Sequence, residues 1–262
     1  MARIALGLEY DGRFFHGWQC QKNLPTLQAA LEAALSQIAH HPVSTHCAGR
    51  TDTGVHATHQ VIHFDTEVRR PDTAWVRGVN CLLPPAMAVR WAQEVEATFH
   101  ARFLACRRRY RYLLLNRPQR PGLLAGRVGW FHVPLELAPM QEAARCLIGW
   151  HDFSAFRAAE CQAKTPMKLM TRAEVRQAGD VFAFDFEANA FLHHMIRNLV
   201  GCLVTVGKGV WLPERLQTVL EQGDRRQAAM TFSPDGLYFQ GPLYDPAYGI
   251  PDLAGNSLWI AD

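Results

Sequence analysis

Stretches of alternating apolar and polar residues follow one another in this chain with little more than a turn between them. From Arg3 to Glu9, Ile4, Leu6 and Leu8 fall on one side and Ala5 and Gly7 on the other, the period of a strand buried on at least one face. Tyr10-Asp11-Gly12 ends that run with turn residues. Val43 to Ala48, His59 to Asp65, Val89 to Val95, Arg107 to Leu115 and Leu237 to Gln240 read as further strands. Lys168 to Gln177 and Val181 to Glu187 form a pair joined by Ala178-Gly179-Asp180. Helical spacing is confined to five stretches: 27–38 with Thr26 as its N-cap, 72–81, 139–148, 191–206 and 213–221. Most neighbouring strands have no helix between them, which argues against a doubly wound parallel sheet. The pattern predicts a mixed α+β fold with helices on one sheet face. The element order is similar in the two halves, and the boundary is expected near residue 104, giving domains 1–104 and 105–262.

Of the 262 residues, 48% are hydrophobic and 19% charged, a balance that excludes a disordered or fibrous chain. No apolar run reaches the roughly 18 residues of a membrane span, and Met1 to Tyr10 lacks the basic and apolar blocks of a signal peptide. The seven cysteines are odd in number and none forms a C-x-x-C pair, so free thiols in a reducing cytosol are expected. Net charge is only +3, which permits a nucleic-acid partner without demanding one. The cations are 23 arginines against 4 lysines, and arginine suits phosphate forks and base stacking.

Three stretches carry residues with chemistry to offer. Ala48-Gly49-Arg50-Thr51-Asp52-Thr53-Gly54-Val55-His56-Ala57 sets one carboxylate, Asp52, between two hydroxyl residues in a loop whose glycines allow close backbone approach. Arg50 adds a planar donor fork. The plainer reading of the same residues is a turn in which Asp52 bonds its own backbone. In the second stretch, a helix over 191–206 places Leu192, Met195, Ile196, Leu199 and Leu203 on its apolar face and His193, Arg197 and Gly201 on the stripe beside it. A buried Arg197 there requires a partner, most simply a carboxylate, whereas a snorkelling one reaches water. In the third, Tyr110, Tyr112 and Leu114 share one strand face and Arg109 and Arg111 take the other. Rings among cations suit a sheet that stacks bases and holds phosphates, and equally a half-buried strand with a basic edge. His56, His59 and His63 lie close in sequence, but no H-E-x-x-H spacing, P-loop or G-x-G-x-x-G is present, and no metal or cofactor is expected.

Taken together, Tyr10-Asp11-Gly12, Gly17-Trp18-Gln19, the Asp52 loop, Phe99-His100-Ala101-Arg102-Phe103, Arg109-Tyr110-Arg111-Tyr112, Asp152-Phe153-Ser154-Ala155-Phe156, Asn189 to Asn198 and Gly236-Leu237-Tyr238 resemble, in order, the motifs of the tRNA pseudouridine synthase A family. The resemblance implies an α+β fold of two pseudo-symmetric halves, whose mixed, mostly antiparallel strands form a central sheet, with a cleft between the halves. It implies a cytoplasmic homodimer that isomerises uridines 38, 39 and 40 in the tRNA anticodon stem-loop without a cofactor. It implies that Asp52 is the nucleophile, that Arg197 pairs with it, and that Tyr110 stacks on the target base. Arg50, Arg109, Arg111 and His193 are the expected further substrate contacts. Two other classes fit parts of the pattern. A non-catalytic RNA-binding module uses the same rings and arginines, and a carboxylate-based glycosidase or nucleoside hydrolase typically needs two acids where this loop offers one.

Overall fold

The computed structural model describes residues 1–253, so residues 254–262 of the expected second domain lie outside the described residues. The chain divides into two units. The first comprises residues 1–106 and takes back residues 238–253; the second is residues 107–237. The break near 106 is close to the expected one, but the late strand belongs to the first unit. Alternation marks a strand without saying which sheet it will join.

In the first unit, β1 (Ala2–Tyr10), β2 (His46–Cys47), β3 (His56–Thr66), β4 (Met87–Val95) and β10 (Leu237–Leu243) run in the order β4-β1-β3-β10, with β2 also on β3. β1 lies antiparallel to both neighbours, with Leu6 opposite Ile62 on one side and Ala92 on the other. Ile4 through Leu8 are accordingly buried on both faces. β10 pairs in parallel with β3, Tyr238 opposite His56 and Phe239 opposite Ala57. β3 begins at His56, three residues earlier than the alternation suggests, so His56 and Ala57 are strand rather than loop.

Helix α1 (Leu27–Ala39) buries Leu27, Leu31 and Leu35 as its spacing predicts and ends at His40, which is left-handed (φ 56°). Thr26 stands at the N-cap position, but its hydroxyl caps nothing. The first helical N–H groups go instead to backbone: Leu27 donates to the Gly17 carbonyl (3.2 Å) and Gln28 to that of Trp18 (3.0 Å). The expected helix over 72–81 is present over residues 72–80, its middle, Ala74–Gly78, widened into a π turn whose buried Trp75 meets Phe64 edge-on at 5.1 Å.

The second unit holds β5 (Arg107–Asn116), β6 (Gly129–Phe131), β7 (Gly149–Asp152), β8 (Met167–Ala178) and β9 (Val181–Ala188), with helices α2 (Leu137–Arg145), α3 (Met195–Gly207) and α4 (Glu214–Gln222). Its strands run β5-β9-β8-β7 in antiparallel pairs, while β6 joins β5 in parallel. The short β6 and β7 carry too few residues to register as alternation. Among the described residues the strands within each unit thus pair antiparallel apart from one parallel pairing in each, the mixed α+β class that the pattern predicts. Among the described residues no helix is long and apolar enough to cross a membrane.

Register explains the core of the second unit. Tyr110, Tyr112 and Leu114 on β5 lie opposite Phe186, Phe184 and Phe182 on β9, and these six side chains are buried. On the other face Arg111 lies opposite Asp185, and both are nearly inaccessible, at 5% and 2% exposure. Arg111 Nε donates to Asp185 Oδ1 at 2.6 Å, and Arg176 donates to Oδ2 at 2.8 Å. One carboxylate thus accepts from two guanidinium groups.

Two outcomes follow for stability. Asp185→Ala leaves the Arg111 charge buried without its carboxylate and is expected to cost about 3–5 kcal/mol in denaturant unfolding. In the first unit, burial together with the charges of His100, Arg3 and His46 pushes the buried His63 down to about 3, against the opposing pull of Asp65. The unfolded chain then binds a proton there before the folded one does. Stability is full above the ordinary histidine value of about 6.5 and is lost on acidification towards 3, with a slope of up to about 1.4 kcal/mol per pH unit. His63→Asn should flatten that part of a pH–stability curve.

Candidate active site

The Asp52 loop is held by backbone on both flanks. Gln60, buried on β3, donates from Nε2 to the Gly49 carbonyl (2.6 Å) and accepts at Oε1 from the Gly49 N–H (3.4 Å), gripping the start of the loop as one peptide unit would. Two residues on, the Tyr10 hydroxyl meets Thr51 Oγ1 at 2.8 Å. Burial pushes the Tyr10 phenol up and outweighs its hydrogen bonds to Thr51 and Gln60, so it stays neutral at any physiological pH. Thr51 also gives its carbonyl to the Trp18 N–H (2.9 Å). Next to it Gly17 (φ 81°) approaches so closely that a Cβ there would stand 2.9 Å from the Thr51 oxygen.

Beyond Asp52 the chain turns at once. The Val55 N–H donates to the Asp52 carbonyl (3.1 Å), and Gly54 takes the left-handed conformation (φ 80°) at the third position of that turn. The turn expected as the plainer reading of this loop is thus present, and it involves the Asp52 main chain. A Cβ on Gly12 would fall 2.0 Å from the Val55 carbonyl oxygen, so only glycine permits the Tyr10-Asp11-Gly12 turn to lie here. Gly12 N–H donates to His56 Nδ1 (3.2 Å), and the buried His56 ring stacks on Tyr238 with centroids 4.7 Å apart. Three motifs far apart in sequence converge around one carboxylate. Asp52 itself is half-buried and Arg50 exposed.

In the second unit Tyr110 is buried on β5, and Phe191 meets its ring edge-on at 5.1 Å. Asn189 holds the segment that carries Phe191: its Oδ1 accepts from Leu169 N–H (3.0 Å) and Ala190 N–H (2.9 Å). The helix expected from 191 begins only at Met195, because His194 adopts a left-handed conformation (φ 60°). His193 therefore lies outside the helix and does not share a stripe with Arg197. Its N–H donates to Cys161 Sγ (3.4 Å), and its ring lies 4.0 Å from that of His194.

Arg197 sits in the first turn of α3, half-buried. Its Nε donates to the Phe232 carbonyl (2.8 Å) and its own carbonyl accepts from the Phe232 N–H (3.1 Å). Asn198, the next residue, donates to Phe156 O (2.8 Å) and accepts from Thr231 Oγ1 (2.6 Å) and Arg225 (3.1 Å). Gly201 lets the 229–232 segment pass within van der Waals distance, since a Cβ there would stand 2.1 Å from the Met230 oxygen. Tyr112 donates to the Ser233 carbonyl (2.9 Å) and stays neutral, its phenol pushed up by burial and Asp235 despite the positive charge of Arg197. Arg109 is half-buried, whereas Arg111 is withdrawn into its pair with Asp185 and is no longer placed to reach a phosphate.

Similarity to known proteins gives the family. The profile described as tRNA pseudouridine synthase matches residues 7–104 and 143–245. The chain belongs to the tRNA pseudouridine synthase family. It is 67% identical over 250 residues to tRNA pseudouridine synthase A of Dechloromonas aromatica, covering 95% of both chains. It is 61% identical to the protein of that description from Aromatoleum aromaticum and 57% identical to that from Methylobacillus flagellatus, each over 249 residues and at least 94% of either chain. The family's chemistry is the isomerisation of uridine to pseudouridine in tRNA.

Gln60, Asn198 and Asp185 were not singled out from the sequence as functional. Asp185 is an acid inside an otherwise apolar run, Val181 to Phe186, and that was the available signal, whereas Gln60 beside His59 and Asn198 beside Arg197 offered none. Gln60→Leu removes both bonds to Gly49 and is expected to cost about 1–3 kcal/mol of stability. It should also lower turnover at saturating tRNA about ten- to a hundred-fold by loosening the loop, measured as tritium released from 5-tritiated uridine.

Proposed function

We propose that this chain converts uridines 38, 39 and 40 of the tRNA anticodon stem-loop to pseudouridine, with Asp52 as the nucleophile. The observation that carries the reading is the clamped Asp52 loop, in which Gln60, Tyr10, Gly12 and Gly17 fix the backbone around one half-buried carboxylate. Covalent rearrangement needs a nucleophile with little freedom to miss its target. The cytoplasmic location and the homodimer remain part of the proposal through the family resemblance.

The reaction breaks the bond from uracil N1 to ribose C1′ and makes one from C5 to C1′. The C5 proton leaves and N1 gains one, so atoms and electrons balance within the nucleotide and water. Asp52 attacks C1′, or adds to C6, and retains the fragment while the base turns. That role requires an ionised carboxylate. Partial burial opposes ionisation and a nearby cation favours it, and Arg197 is the proposed cation, its guanidinium oriented by Phe232.

The target lies in a stem, so its nucleotide must leave the stack. Tyr110, braced by Phe191, is the proposed ring against the extruded base. Arg50 and Arg109 are the proposed phosphate contacts and His193 a further substrate contact. Arg111 is assigned to the scaffold with Asp185.

Tritium release from tRNA labelled at uridine C5 tests the reading, with the modified positions mapped by primer extension after carbodiimide treatment. Wild type is expected to release tritium from positions 38, 39 and 40, and Asp52→Asn to release none while retaining its fold by circular dichroism. Free uracil among the products overturns the reading in favour of a hydrolase. tRNA binding without tritium release overturns it in favour of a binding module. Arg50→Ala should lower the slope of log affinity against log salt by about one.

A further inference from the structure

The stretch Phe99-His100-Ala101-Arg102-Phe103 has no part in the chemistry above, yet it is tied down at nearly every residue. Phe99 is fully buried, with Tyr244 and Tyr248 rings at 5.2 and 5.7 Å and the His63 ring edge-on at 6.2 Å. Arg3, bound to Asp65 at 2.7 and 2.8 Å, donates to the Phe99 carbonyl at 2.8 Å. Ala101 is buried, its N–H donating to His63 Nδ1 (3.2 Å) and its carbonyl accepting from the Tyr244 hydroxyl (2.7 Å). His100 Nδ1 accepts from the N–H groups of both Arg102 (3.2 Å) and Phe103 (3.3 Å). At the end of this anchored turn the Phe103 ring stands 72% exposed.

A lone apolar side chain on a surface needs no explanation. Phe103 differs in its setting. The His100 ring lies against it, centroids 4.2 Å apart and planes 32° apart, and the Arg102 guanidinium carbon stands 5.7 Å from its centroid. His46, exposed on β2, continues the group at 5.4 Å from His100. Arg102 and Arg50, the latter two residues from Asp52, both bear on the Cys47 thiol electrostatically. The surroundings of the ring are thus aromatic and cationic on a backbone held by hydrogen bonds at Phe99, Ala101, Arg102 and Phe103. An apolar protein surface would be a poor mate for these guanidinium groups, whereas a nucleobase joined to phosphates matches both the ring and the cations.

We infer that Phe103 is a stacking platform for a nucleobase of the tRNA other than the one isomerised, with Arg102 and His100 holding the ring and facing the adjoining backbone. The inference rests on the tRNA-modifying reading of the site and adds to it a contact outside the reacting nucleotide. Stacking is tolerant of base identity, so the contact contributes affinity and register rather than sequence choice. Phe103 touches no reacting atom and should leave the chemical step alone.

The test compares Phe103→Ala, Phe103→Leu and Phe103→Trp with wild type, measuring the Kd for unmodified tRNA by filter binding and tritium release at limiting and saturating tRNA. Phe103→Ala and Phe103→Leu are expected to bind roughly ten-fold more weakly, and kcat/KM should fall in step while kcat is held. Phe103→Trp should bind as wild type, and its added indole fluorescence should be quenched by tRNA. Leucine equal to phenylalanine overturns the inference, because an apolar contact without stacking would then suffice. Unquenched indole overturns it too, as does a variant that changes the oligomeric state by size-exclusion chromatography with tRNA affinity unaltered, which assigns the ring to a second copy of the chain. Wild type that neither binds tRNA nor releases tritium overturns the isomerase reading along with this one. An active wild type with an unaffected Phe103→Ala overturns the stacking contact alone.

Discussion

Close backbone approach at three glycines underlies the Asp52 loop. Gly12 against Val55, Gly17 against Thr51 and Gly54 inside the turn each occupy a place or a conformation that a side chain would spoil. Because main chain rests on main chain there, hydrogen bonds from Trp18 and Val55 reach the carbonyls of Thr51 and Asp52 directly. Gln60 and Tyr10 then need only short bonds to complete the enclosure. A carboxylate on such a loop is positioned by many weak constraints on the backbone that carries it.

The second unit solves a different problem, how to keep arginines beside a packed aromatic face. Strand alternation puts Tyr110 and Tyr112 on the side of the β9 phenylalanines and sends Arg111 to the other. A single acid, Asp185, accepts that cation and Arg176 together. Removing charges from water is expensive, and shared hydrogen bonds offset part of the cost. Arg197 is treated more gently: half-buried in the first turn of α3, it gives one N–H to the Phe232 carbonyl. The two arginines differ in burial and partner although both stand among apolar neighbours in sequence.

Much of the architecture was readable in advance. Alternation located β1, β4, β5, β8 and β9 to within a few residues, and the 3.6-residue spacing located α1 and α4. The misreadings have physical causes. Residues 72–80 do form the expected helix, but its middle, Ala74–Gly78, widens into a π turn that helical spacing does not announce. A left-handed His194 delays α3 and takes His193 off the helix, a conformation that favours glycine and that histidine spacing does not reveal. Thr26 looked like a cap, but neighbouring carbonyls reached the helix N-terminus first.

The amino-acid sequence by itself determined the α+β class, the motif order that identifies the family, and which side chains could bear the chemistry, because period, turn residues and functional groups are local properties. Only the tertiary structure decided that β10 returns to the first unit, that Gln60 clamps Gly49, and that Arg111 serves Asp185 rather than solvent. It likewise decided that Phe103 is held outward on a fixed turn while Phe99, four residues earlier, is sealed inside. Those outcomes depend on what arrives from distant parts of the chain to satisfy a buried polar group or cover an apolar one, and no local pattern records the arrival.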